Sequence, residues 1–260
     1  MAVRAAARGK AVKWLLVSDT HSNLEALEAV LADADFDRLA FLGDAVDYGP
    51  DPEPVVDILK EAAGPGGVLV QGNHDQGVAT PEEEFDPGWW SPVATDTMRY
   101  SRSRLRKDQV GFLAALPPTA KLDFGAGGRA LLCHGSPQSN REYLWPDLPE
   151  KTLKALLDDT AQAFDYLLVG HSHLQFARSL PNLTIVNPGS VGQPRDGNPQ
   201  AAYAIMDTGE GALSFHRVDY AIEKTTHKIR ERAMPHAERL VRILRSGGAE
   251  ARPARFQGLK

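Results

Sequence analysis

Five of the eight histidines in this 260-residue chain stand just past a short apolar run. Trp14–Val17 leads into Ser18-Asp19-Thr20-His21, and Leu39–Leu42 leads into Gly43-Asp44. Val68–Gln71 leads into Gly72-Asn73-His74-Asp75, Ala130–Cys133 into His134, and Tyr166–Val169 into Gly170-His171-Ser172-His173. Each run therefore delivers an imidazole, a carboxylate or an amide oxygen at its end. Nitrogen and oxygen donors without thiolate suit Mn, Fe, Zn or Ni better than a structural zinc or a calcium cage. Asp19, His21, Asp44, Asn73, His134, His171 and His173 are too many ligands for one ion. Two ions are satisfied if one carboxylate bridges them, and ions roughly 3.5–4 Å apart serve phosphate-ester displacement. Taken singly the fragments are weak, because Gly-Asp after a strand is ordinarily a turn and Gly-Asn-His can be an Asx turn. Their order and shared strand-exit position carry the argument.

The elements that must position these residues follow from the pattern. Short apolar runs alternate with amphipathic segments: a helix through Leu24, Leu27, Val30 and Leu31 capped by Ser22 or Asn23, and a second over roughly 53–63 opened by Pro52 and Pro54. This β-α-β-α-β rhythm predicts a parallel sheet with crossover helices, and ligand sites in such sheets lie outside the carboxyl ends of the strands. Residues 76–118 break the rhythm and read as a helical insertion, with helices starting near Ser91-Pro92 and Asp108. Beyond it, strands are expected at Lys121–Phe124, Ala130–Cys133, Tyr166–Val169, Leu183–Val186, Ala201–Asp207 and Ala212–Val218, with a helix over 148–161. Their hairpin spacing predicts a second, mixed sheet. One long helix, bent at Pro235, is expected within 220–247, packed on the domain that spans 14–219. Residues 1–13 and 248–260 read as loose ends.

Composition narrows the classes. Apolar residues make up 42% and charged residues 24%, which excludes a disordered or collagen-like chain. A net charge of −5 lacks the basic footprint of a nucleic-acid binder. No apolar run approaches the roughly 18 residues of a membrane span. The single cysteine, Cys133, rules out an internal disulfide and a multi-cysteine zinc site and points to the cytoplasm. Cys133 also lacks an arginine six residues on, position 139 being Ser, so it reads as a buried strand residue rather than a thiol nucleophile. In the insertion, Arg99, Arg102, Arg104, Arg106 and Lys107 form either a solvated helix face or an electropositive lip, and Trp89 and Trp90 either pack or stack a base.

The series Asp19-x-His21, Gly43-Asp44, Gly72-Asn73-His74-Asp75, His134 and Gly170-His171-x-His173 resembles the calcineurin-like metallophosphoesterase superfamily. The text around Asp44 through Pro52, His134-Gly-Ser-Pro and Asn187 through Arg195 is similar to its small bacterial and archaeal phosphodiesterase branch. The resemblance implies an α/β fold, a four-layer αββα sandwich of two mixed sheets. It implies one divalent ion on Asp19, His21, Asp44 and His173, and another on Asp44, Asn73, His134 and His171, Mn being the metal expected to serve in vitro. It further implies that water activated between the ions attacks phosphorus, that His74 assists the leaving group, and that Asp47 orients His74. Arg195, Asn73 and Tyr48 are the candidate substrate contacts. The protein phosphatases carry Arg at the position of Tyr48 and Glu at that of Asp75, which counts against that branch. The expected substrate is a small, nucleotide-like phosphodiester or phosphoanhydride. A phosphomonoesterase or protein Ser/Thr phosphatase, and a non-catalytic scaffold of the same fold, stay open as alternatives.

Overall fold

The computed structural model describes residues 11–161 and 163–248. Ten strands and eight helices follow one another as β1 (Lys13–Val17), α1 (Leu24–Asp33), β2 (Arg38–Phe41), α2 (Pro52–Ala63), β3 (Val68–Leu69), α3 (Asn73–Ala79), α4 (Pro92–Arg104) and α5 (Lys107–Ala115). Then come β4 (Thr119–Asp123), β5 (Arg129–Cys133), α6 (Glu150–Ala161), β6 (Tyr166–Leu168), β7 (Gln175–Leu180), β8 (Leu183–Pro188), β9 (Ala201–Asp207), β10 (Ala212–Val218), α7 (Ile222–Glu231) and α8 (Ala237–Ser246).

The strands form two five-stranded mixed sheets, ordered β10-β9-β1-β2-β3 and β4-β5-β6-β8-β7. Alternation along β1 explains the layers. Trp14 and Leu16 point between the sheets, where they meet Leu132, Leu168 and Val186. Leu15 and Val17 point the other way, onto Leu27 of α1 and Val55 and Leu59 of α2. On the far side, Leu131, Cys133, Leu167 and Ile185 pack on Leu153 and Leu157 of α6. Helices, sheet, sheet and helix therefore stack in the four-layer order, and Cys133 is the buried strand residue expected.

Helix starts follow local chemistry. The Asn23 side chain accepts the N–H of Ala26, Ser91 accepts that of Ala94, and Pro52 and Pro54 sit in the first turn of α2. β1, β2 and β3 are parallel, as the rhythm predicted.

Several features differ from the sequence reading. β9 and β10 do not join the second sheet; β9 pairs antiparallel with β1, because tertiary packing and not hairpin spacing decides which edge a late strand occupies. β7, half-buried and rich in polar residues, carried no apolar run to announce it. α3 begins at Asn73 itself, so helix and not the alternative Asx turn is the conformation found there. The C-terminal segment is two helices: the chain reverses between them through left-handed Ala233 (φ 47°) and His236 (φ 56°), with Pro235 in the break. The loose N-terminal stretch also ends earlier than residue 13, since Lys13 is in β1 and the Val12 N–H donates to Thr208; residues 1–10 and 249–260 lie outside the described residues. Among the described residues no helix is long and apolar enough to cross a membrane.

Candidate metal centre

The exits of β1, β2, β3, β5 and β6 meet at one end of the sandwich. Backbone bonds lock them together: Asp19 N–H donates to Gly43 O (2.9 Å), His21 N–H to Asp44 O (3.1 Å), Gly170 N–H to His134 O (2.8 Å), and Val191 N–H to Ser18 O (3.0 Å). Two glycines permit this approach. A Cβ on Gly72 would lie 2.0 Å from Asp44 Oδ1, and one on Gly170 would lie 2.0 Å from Ser18 Oγ. Backbone strain gathers here too. Of the ten described non-glycine residues with positive φ, eight are in these loops: Asp19, His21, Ser22, Asp44, Asp47, Tyr48, His171 and His173.

Each carboxylate and imidazole candidate has one atom tied back and another left for a ligand. Asp19 Oδ2 accepts the His171 N–H at 3.2 Å, and Asp44 Oδ1 accepts the His74 N–H at 2.8 Å. Asp19 Oδ1 and Asp44 Oδ2 are buried and have no hydrogen-bond partner, and the same holds for Asn73 Oδ1 and His134 Nε2. The imidazoles repeat the pattern. Nδ1 of His21, His134 and His173 faces the carbonyls of Val46 (3.1 Å), Leu42 (2.7 Å) and Gln193 (2.5 Å), and His171 Nε2 faces the carbonyl of Arg141 (3.2 Å). A carbonyl only accepts, so each of those nitrogens carries the hydrogen and the opposite nitrogen presents a lone pair.

These inward-facing atoms crowd one another, so a proton or a metal ion must lie between them. His21 Nε2 and His173 Nε2 are 3.2 Å apart, His173 Nε2 is 3.2 Å from Asp19 Oδ1, and His134 Nε2 is 3.1 Å from Asp44 Oδ2. The donors sort into two groups, Asp19–His21–His173 and Asp44–His134–His171, each compact enough for one ion. Burial drives His21, His171 and His173 well below the usual imidazole range, which keeps them neutral and able to ligate. Burial alone would lower His134 as well, but the Asp44 carboxylate lifts it to about 9, so positive charge is favoured at that point. Burial pushes Asp19 up to about 7, again the mark of a carboxylate lacking its counter-charge. The residues present therefore fit a pair of divalent ions.

Every metal-ligand candidate named from the sequence lies in this centre. His74 stands beside it, with Nε2 4.0 Å from Asp44 Oδ2 and Nδ1 2.6 Å from Asp47 Oδ2. Burial lowers the His74 value, but Asp44 and Asp47 overcome it and raise the imidazole above its ordinary range. Asp47 is raised as well, by burial, against the opposing pull of its bond to His74. Tyr48 packs its ring 4.9 Å from those of His21 and His74. Arg195 lies on another side, donating to Gln193 Oε1 at 3.1 Å, and its charge reaches Asp19, His21 and His173.

A cavity of about 620 Å³ opens from the centre and is lined by Asn73, His74, His171, Tyr48, Trp90 and Arg141 among others. None of Arg99, Arg102, Arg104, Arg106 and Lys107 lines it. Arg99 pairs with Glu82 (2.9 Å), Arg106 with Asp57 (2.8 Å), and Arg102 donates to the Thr80 carbonyl, so the solvated helix face is what the insertion presents. Sequence reasoning missed three residues. Asp75, fully buried, accepts the N–H groups of Asp44 and Ala45 (2.8 Å each) and of Gly72 (3.0 Å), fastening the β2 and β3 exits. Its signal was an acid at the third position of α3. Tyr143, stacked 3.9 Å from the His171 ring, and Arg141 sit in an irregular loop with no motif to mark them.

The profile of the calcineurin-like phosphoesterase superfamily domain matches residues 12–211. An uncharacterized protein of Methanocaldococcus jannaschii is 32% identical over 240 residues, covering 85% of this chain and 93% of its own. The crystal structure of a metallophosphoesterase from Sphaerobacter thermophilus is similar at a TM-score of 0.76 and 32% identity, over 92% of this chain and 100% of that one. A protein of Pyrococcus horikoshii OT3 shares the fold at a TM-score of 0.80 and 21% identity, over 92% and 99% of the two chains.

Proposed function

The chain belongs to the calcineurin-like phosphoesterase superfamily and is a metal-dependent phosphoric ester hydrolase; from that premise we propose that it hydrolyses a phosphodiester or phosphoanhydride of a small nucleotide-like substrate at a dinuclear centre. Asp19, His21, Asp44 and His173 would hold one divalent ion, and Asp44, Asn73, His134 and His171 the other, with Asp44 shared. The observation that carries this reading is the set of buried, partnerless ligand atoms Asp19 Oδ1, Asp44 Oδ2, Asn73 Oδ1 and His134 Nε2, which converge from four different strand exits.

Such a pair of ions, when bound, withdraws charge from a phosphate and acidifies water for attack at phosphorus. The chain's own residues do the rest. The backbone carbonyls of Val46, Leu42, Gln193 and Arg141 fix the tautomer and aim of each imidazole. His74, which lines the cavity, carries a proton on Nε2 and gives it to the departing oxygen. Asp47 holds that ring in place through Nδ1. Tyr48, where the protein phosphatases carry a phosphate-gripping arginine, offers a ring edge and one hydroxyl, which favours a less charged diester over a phosphomonoester. Asn73 and Arg195 would complete the phosphate contacts.

Metal analysis together with Mn-loaded assays on bis-p-nitrophenyl phosphate and p-nitrophenyl phosphate tests the reading. Faster cleavage of the diester supports it. Turnover of the monoester alone favours a phosphatase, and no bound metal with no turnover of either ester favours the scaffold.

A further inference from the structure

The 620 Å³ cavity is far larger than a single phosphate needs and lies in the range of nucleotide-sized ligands. It begins at His74, the residue that faces the leaving group under the function proposed above, so the cavity receives what is released. Two features of its wall are unexplained by packing. Trp89, at the rim, is 73% exposed, although an indole normally hides most of its surface. Trp90 beside it is accounted for, since it packs on His74 and on Phe85.

The second feature is Arg141. Its guanidinium lies over the Trp90 ring at 4.8 Å and the Trp89 ring at 5.7 Å. Burial makes its charge less favourable, outweighing the opposing charge of Asp86. Among the described residues it forms no ion pair, and its side chain donates no hydrogen bond, although a guanidinium has five N–H donors in a planar fork. Its backbone is fully employed, the N–H bonding Ser139 and the carbonyl fixing His171. The indole faces hold the cation in position without using its donors, which leaves a preorganised fork on the cavity wall.

We infer that Trp89 and Arg141 recognise the leaving group, and that this group is a nucleotide: the base stacks on the exposed Trp89 face, and a phosphate beyond the scissile one takes the Arg141 fork. The inference rests on the hydrolase reading above. In the reaction, a water gives up one proton to solvent and its oxygen bonds to phosphorus, the bond from phosphorus to the bridging oxygen of the nucleotide breaks, and that oxygen takes the proton of His74, which solvent restores. The specificity is therefore for nucleoside polyphosphates, in which both features are engaged at once.

Calorimetric titration of the Mn-loaded protein with α,β-methylene adenosine 5′-diphosphate, which cannot be cleaved at its anhydride, tests this apart from turnover. The expected result is binding at least tenfold tighter than inorganic phosphate, weakened about tenfold or more by Arg141→Ala and by Trp89→Ala. Arg141→Lys, which keeps the charge but not the fork, should recover only part of the loss. In kinetics, the ratio of kcat/KM for diadenosine tetraphosphate to that for bis-p-nitrophenyl phosphate should fall by a similar factor in both alanine variants. If the protein cleaves bis-p-nitrophenyl phosphate but binds the nucleotide no tighter than phosphate, or binds it tightly in both alanine variants, the recognition role is overturned and the hydrolase reading stands. If the Mn-loaded protein binds neither ligand and cleaves neither ester, both fall.

Discussion

Asp75 offers a test of how the metal centre is built that needs no substrate. Its Oδ2 accepts from the backbone of Asp44 (2.8 Å) and Gly72 (3.0 Å), and its Oδ1 from Ala45 (2.8 Å) and Val46 (3.4 Å). Asp75→Asn keeps the shape but replaces one oxygen by an NH₂ group, which confronts two N–H donors. Each buried donor left without a partner costs about 1–3 kcal/mol, so the substitution should cost about 2–6 kcal/mol. With a urea slope of about 3 kcal/mol per molar, the unfolding midpoint drops by about 0.7–2 M. The measurement is urea unfolding of EDTA-treated wild type and variant, so that bound metal contributes to neither. Metal content of the Mn-loaded variant should fall as well, because Asp44 and Asn73 lose their common anchor. A midpoint shift below about 0.2 M with full metal content would refute the claim that this carboxylate fastens the two exits.

Two further outcomes follow from the same structure. Asp47→Asn leaves no carboxylate on His74 Nδ1, so kcat should fall by about 10²-fold or more while both metals stay bound, as activity and elemental analysis will show; unchanged kcat would remove Asp47 from the mechanism. For Glu25, burial raises the carboxyl, but bonds from Lys228, Thr225 and Lys224 outweigh it and hold the folded value below the ordinary 4.5. A depressed carboxylate stabilises fully above its unfolded value and loses that contribution as pH falls through the folded one. Glu25→Gln should therefore lose less stability than wild type between about pH 5 and 3, read from urea midpoints, and parallel pH curves would contradict this.

The legibility of the centre in the sequence has a physical reason. Asp19, His21, Asp44, His134 and His171 each directly follow an apolar strand, so chain order and strand exits alone determine where they emerge. The β1–β2–β3 core was legible for the same reason, since its connections are local crossovers. What was hidden depends on contacts distant in sequence. Nothing near Ala201 states that β9 will pair with β1, whose residues Lys13 through Leu16 lie opposite Asp207 through Ala204. Arg141 and Tyr143 acquire meaning only when α6 and the insertion close around them. The C-terminal helices were mistaken for one because Pro235 permits a bend, whereas the left-handed turn at Ala233 and His236 reverses the chain. Ahead of that reversal, α7 sets Lys228 2.6 Å from Asp51 and 2.7 Å from Glu25, bracing the loops that carry Asp19 and Asp44.

The most direct measurement is an anomalous difference map from crystals of the Mn-loaded protein, recorded at the manganese edge. Two peaks roughly 3.5–4 Å apart are predicted, one among Asp19, His21 and His173 and the other among Asn73, His134 and His171, with Asp44 between them. A single peak, or manganese bound anywhere else while these seven side chains close on one another without it, would contradict the account.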